Sequence, residues 1–151
     1  MNIKTKFFGE MEINPESIIK FPNGLPGFEQ EDEFVLLAID EEEIYHSLQS
    51  TKSEEVALIV TNPYLFFTEY EFHVDKSTQE LLHIEDESDV VVLSVLTLRD
   101  SFADSTANLQ APIILNVKKN KAKQLILMDT DYETKHPLVS SQKDGDSDVN
   151  P

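Results

Sequence analysis

Cysteine is absent from these 151 residues, which removes disulfides and zinc–thiolate centres and fits a reducing compartment. No apolar run approaches the roughly 20 residues that a membrane-spanning helix needs. The longest apolar-rich stretch, Val90 to Leu98, falls far short of that length. Met1 to Lys6 lead into a short apolar pair, not an apolar run, so no signal peptide is read there and a cytoplasmic location is expected. Positive charge is also scarce: Lys plus Arg number 12 against 29 Asp plus Glu, a net charge of -17. Such a surface repels phosphate backbones, which argues against direct nucleic-acid binding, and it would steer and orient a basic protein partner. The acids are clustered in Glu29 to Glu43 and in Glu69 to Asp89, whereas Lys118, Lys119, Lys121 and Lys123 gather elsewhere.

Recognisable reaction chemistry is missing as well. The chain carries no phosphate-binding loop, nucleophile elbow or metal-ligand pair. His46, His73, His83 and His136 each lack a second ligand at short fixed spacing, and Asp86, Glu87 and Asp89 lack the Gly-centred loop of a calcium site. Glu41-Glu42-Glu43 reads as a solvated turn. No metal, cofactor or catalytic residue is expected. Carboxylates paired only in space leave a hydrolase or a small-molecule-binding barrel as an alternative.

What is present is turn and strand grammar. Phe21-Pro-Asn-Gly-Leu-Pro-Gly-Phe28 sets two prolines and two glycines between phenylalanines, so the backbone must turn tightly, and the aromatic ends suggest a turn folded onto a core. Strands are predicted at Ile3 to Phe7, Ser17 to Phe21, Glu33 to Ile39, Ile44 to Gln49 and Val56 to Val60. From Phe66 to Asp75 the residues alternate, with Phe66, Thr68, Tyr70, Phe72 and Val74 on one face and Phe67, Glu69, Glu71, His73 and Asp75 on the other. Ser77-Thr-Gln-Glu80 reads as a capping box that starts a helix covering a core opening with Leu81, Leu82 and Ile84. Val90 to Leu98 reads as a strand buried on both faces, and Pro112 to Val117 with Lys123 to Met128 as a hairpin. Together these predict an all-β domain over residues 1–138, a compact antiparallel barrel or sandwich with one or two short helices, followed by a disordered acidic tail at 139–151.

Four stretches in order carry a resemblance: Phe21 to Phe28; Leu48-Gln-Ser50 with Val60-Thr-Asn-Pro63; Thr97-Leu98; and Asn108-Leu-Gln-Ala-Pro-Ile-Ile-Leu-Asn116. With Gln124 to Leu127 as a closing strand, the chain resembles the flagellar assembly factor FliW family over residues 2 to 138; His46 departs from the expected pattern. The resemblance implies a small β-barrel-like domain and a non-enzymatic regulator. That regulator would bind and antagonise the RNA-binding translational repressor CsrA, and would also bind flagellin, so that partner switching matches flagellin synthesis to secretion. A monomer when free is expected. A structural component of the export apparatus is the other alternative.

For contacts, an apolar anchor beside acids suits a basic partner, which singles out Phe67 with Glu69 and Glu71. Burial of Phe67 under the helix is the competing account. Glu31, Asp32 and Glu33 are further candidates, with a solvated face as the alternative. Asn108 and Leu109 lie in a segment that reads equally as an exposed contact loop or a turn leading into a strand. Turn geometry and burial account for Phe21 to Phe28 without a binding role.

Overall fold

Alternating apolar and polar residues become a closed ring of strands in the computed structural model, which describes residues 1–128 and 130–138. The tail expected at 139–151 lies outside the described residues. The strands are β1 (Asn2–Thr5), β2 (Gly9–Glu12), β3 (Ile19–Lys20), β4 (Glu33–Ala38), β5 (Tyr45–Ser50), β6 (Ala57–Thr61), β7 (Val90–Thr97), β8 (Thr106–Ala107), β9 (Ile113–Asn116), β10 (Lys121–Gln124) and β11 (His136–Pro137), with one α-helix, α1 (Lys76–Leu81), among the described residues. Neighbours run β7-β6-β5-β4-β3-β10-β9, and β9 pairs back onto β7, closing a seven-stranded barrel. β8 and β11 extend from the β7 edge, and β1 with β2 forms a separate hairpin.

Register follows burial. Phe34 lies opposite Ser50, and Leu36 opposite Leu48 and, one strand on, Leu58. Phe21 meets Phe34 edge-on at 5.1 Å in a core with Leu25, Leu48, Val60, Leu93, Ile113 and Leu115. Each such side chain contributes about 1.5–3 kcal/mol of transfer free energy when fully buried. On the opposite face of β4, Val35 and Leu37 are covered by Ile3, Met11, Ile13 and Ile18 from the N-terminal hairpin and the segment after it. Gln49 is buried, and its amide serves both ends of this arrangement. Its carbonyl accepts from the Lys6 N–H at 2.9 Å, and its NH2 donates to the carbonyls of Ser53 and Glu54 at 3.2 Å.

The Phe21–Phe28 turn divides in its packing. Phe21 and Leu25 are buried, but Phe28 is 43% exposed, against the expectation that both aromatic ends fold inward. Gly24 at φ +68° lets the Gly24 N–H reach the Phe21 carbonyl at 2.8 Å, so Leu25 takes the inner position and the chain returns outward before Phe28.

Four other expectations are corrected. Phe66 to Asp75 is not a strand: Asn62 caps a 3-10 turn at Pro63–Leu65, and the following residues pair with no neighbour in a sheet. Burial still alternates from Tyr70 to Asp75, but as an extended lid over the barrel flank. α1 begins at Lys76 with Asp75 at the cap position, ahead of the capping box expected from Ser77. The Ser77 hydroxyl donates to the Asp75 carboxylate at 2.9 Å instead of capping the helix, and an acid just before the helix suits its positive end. The second hairpin strand starts and ends earlier than 123–128, because the tight turn at Asn120, with φ 53°, returns the chain at Lys121. β7 is buried on both faces only around Leu93 and Ser94, and Val91 is exposed. No helix among the described residues is long and apolar enough to cross a membrane.

Candidate functional site

The acids Glu31, Asp32 and Glu33 lead into β4 beside the turn between β5 and β6. Each has a partner. Glu31 accepts hydrogen bonds from the Ser50 hydroxyl and, at 2.6 Å, the Ser53 hydroxyl. These bonds, Ser50 foremost, hold its carboxyl below the usual glutamate range. Asp32 pairs with Lys52 at 2.9 Å, which lowers the carboxyl and raises the ammonium. Glu33 meets Lys20 at 3.3 Å. Of these contact candidates, Glu31 and Asp32 thus form a clasp that holds the β5–β6 turn against β4, and Glu33 ties β4 to β3.

Phe67 is half-buried, not a projecting anchor. Its ring meets His136 edge-on at 5.2 Å and lies 6.5 Å from Phe66, in a cluster with Tyr70, Leu109 and Leu138. The covering element is therefore the β11 segment, whereas the apolar side chains of α1 join Ile114, Leu125 and Leu127. Glu69 and Glu71 are exposed beside it. The Tyr132 hydroxyl bridges the backbone N–H and carbonyl of Glu71 at 3.1 and 3.2 Å. Tyr132 also packs edge-on against Tyr70 at 4.8 Å. Tyr70 donates its hydroxyl to the Leu109 carbonyl at 2.7 Å, and burial pushes its phenol well above the ordinary range.

Leu109 is 1% exposed, so it is core and not a contact residue. Asn108 folds its side chain back to accept from the Ala111 N–H at 3.0 Å, and its carbonyl accepts from Ser94. The segment is a turn leading into β9, the second of the two readings. The structure brings Phe67 and Leu109 into one cluster, and it sets Glu31 to Glu33 by the turn at the other end of β6.

One feature was not legible as a site. A groove of about 580 Å³ runs beside the extended lid, with Tyr64, Phe72, Val74, Ile84 and Val92 along its floor and His73, Glu85, Asp86 and Glu87 at its rim. Glu85 to Glu87 follow α1, where His83 at φ 56° turns the chain out of the helix. The sequence signal for this rim was Ile84 standing directly before three acids. Among the described residues no group of three His, Asp or Glu side chains is placed to hold a metal ion.

Comparison with known proteins agrees with this barrel. The family model described as FliW protein matches residues 2–138. The flagellar assembly factor FliW of Bacillus velezensis is 54% identical over 136 residues, 90% of this chain and 95% of that protein. Its namesake in Bacillus subtilis is 49% identical over 138 residues, 91% of this chain and 96% of that protein. A crystal structure of the flagellar assembly factor FliW superimposes with a TM-score of 0.87 at 43% identity, covering 91% of this chain and 96% of the other. Sequence and strand ring agree along nearly the whole described chain, which belongs to the FliW family of flagellar assembly factors.

Proposed function

We propose that the protein is a cytoplasmic, non-enzymatic regulator that binds CsrA and relieves its repression of flagellin synthesis, and that binds flagellin in exchange. The carrying observation is the family match across residues 2–138, which spans every element of the barrel. The charge of -17 supports it: an acidic domain docked near a basic RNA-binding surface raises the cost of bringing RNA phosphates there, without filling the RNA site itself. Among the candidates, Glu69 and Glu71 are offered to solvent, while Glu31, Asp32 and Glu33 are engaged by Ser53, Lys52 and Lys20.

Fluorescence anisotropy of labelled RNA held by CsrA tests this reading. Adding the protein should release the RNA, and adding flagellin should restore it. Failure to bind either protein by calorimetry overturns the proposal. Raising the salt toward 1 M, where the screening length is about 3 Å, should weaken antagonism strongly. Unchanged affinity across that range would refute the electrostatic part.

A further inference from the structure

We propose that the groove beside the lid is the docking site for an amphipathic segment of a partner protein, one that carries Lys or Arg beside aliphatic side chains. The inference deepens the proposed function and rests on that reading for the partner being a protein.

The floor is apolar yet unfinished. Phe72, Val74, Ile84 and Val92 are half-buried: they join core clusters on one side and face the groove on the other. A space of about 580 Å³ lies in the range of ligand pockets and admits several side chains. The rim sets the chemistry. Glu85, Asp86 and Glu87 are exposed, and none of them forms an ion pair among the described residues. No Lys or Arg among the described residues lines the groove. Tyr64, 37% exposed, adds an aromatic ring of the kind that attracts a cation. Asp86 accepts from the Ser88 N–H at 3.1 Å, but no cation pairs with these carboxylates among the described residues, and an apolar floor beneath them is complementary to a segment with an aliphatic stripe and basic flanks.

Net charge also disfavours other occupants. A second copy would bring another chain of charge -17 against the same acidic rim. Residues 139–151 of this chain carry Asp144, Asp146 and Asp148 against Lys143 alone, and the rim repels that sign.

The test is amide NMR of the full chain with three synthetic peptides: a Leu/Lys amphipath, a Ser/Lys peptide of equal charge, and a Leu/Glu peptide of equal apolar pattern. The Leu/Lys peptide alone should shift the amides of Phe72 to Val74 and Ile84 to Val92. The double variant Glu85→Lys with Glu87→Lys should weaken it about tenfold, while Glu41→Lys with Glu42→Lys, on an exposed turn that does not line the groove, should not. The proposal is overturned if the Leu/Lys peptide does not bind. It is also overturned if the shifts map elsewhere, if Ser/Lys binds as tightly, or if both double variants weaken binding equally. Should the peptide occupy the groove while CsrA and flagellin both fail to bind, the groove stands and the proposed function falls. Should those proteins bind and the peptide not, the function stands and the groove falls.

Discussion

Replacing Gly24 by alanine should destabilise the barrel far more than the same change at Gly27, although both glycines have positive φ, +68° and +86°. An added Cβ at Gly24 would sit 2.5 Å from the Glu29 carbonyl oxygen and 2.8 Å from its carbonyl carbon and Cα. Those atoms are backbone and cannot swing aside. At Gly27 nothing lies within 4 Å of the added atom. Positive φ alone costs an L-residue about 1–2 kcal/mol. Forcing backbone apart in a packed turn adds about 1–3 kcal/mol. Gly24→Ala is therefore expected to cost about 2–5 kcal/mol, and Gly27→Ala about 1–2 kcal/mol. For a chain of this size each kcal/mol lowers Tm by about 2–4 °C. The displacement would be transmitted, because the Glu31 N–H donates to the Phe28 carbonyl at 2.9 Å and the Glu31 side chain holds the β5–β6 turn. Urea unfolding followed by circular dichroism measures both variants, with unchanged slope as the sign that the unfolded state is comparable. Equal losses at the two glycines would refute the close-approach argument.

Asn116→Ala should cost about 2–4 kcal/mol in the same assay, since the buried amide donates to the Leu82 and His83 carbonyls and accepts from the Lys118 and Lys119 N–H groups. Faster hydrogen exchange at the end of α1 should accompany the loss. Glu31→Gln should cost about 1 kcal/mol at neutral pH, discounted for partial exposure. The folded carboxyl lies below its ordinary 4.5, so its stabilisation is present above that value and is lost as pH falls through the lowered one. The gap in Tm between wild type and variant should close on acidification below 4.5, and a gap that widened there would contradict the assignment.

The strands that pair with both neighbours were legible because period-two burial and hydrogen bonding coincide in them, as in β4 and β5. Tyr70 to Asp75 shows where the two separate. Its side chains alternate in burial, but period two reports which face is covered and says nothing about whether another strand is beside it. The acids before β4 misled for another reason: Ser50 and Ser53 lie 19 and 22 residues from Glu31, and a partner at that range leaves no local mark. Leu109 sits in a polar-looking loop, yet Tyr70 takes its carbonyl from 39 residues away and so permits complete burial. The groove was hidden because its floor is drawn from the lid, the segment after α1 and β7.

A closed ring in which every strand opposed its neighbours would need an even number of members, and this ring has seven. Parity therefore obliges one adjacent pair to run the same way, and that pair is β3 with β10, registered through Lys20 and Lys121. No short hairpin can join such a pair, so the obligatory pair must unite segments far apart along the chain. Lys20 donates its N–H to the Asn120 carbonyl at 2.9 Å, and the Asn120 side chain donates to the Glu16 carbonyl at 2.8 Å, which makes one asparagine the clasp of the ring. Every other junction of the ring can zip outward from a neighbour already formed. This one joins Lys20 to Lys121, the longest stretch of chain spanned by any pair in the ring, and so carries the largest loop-closure entropy unless the neighbouring pairs form first.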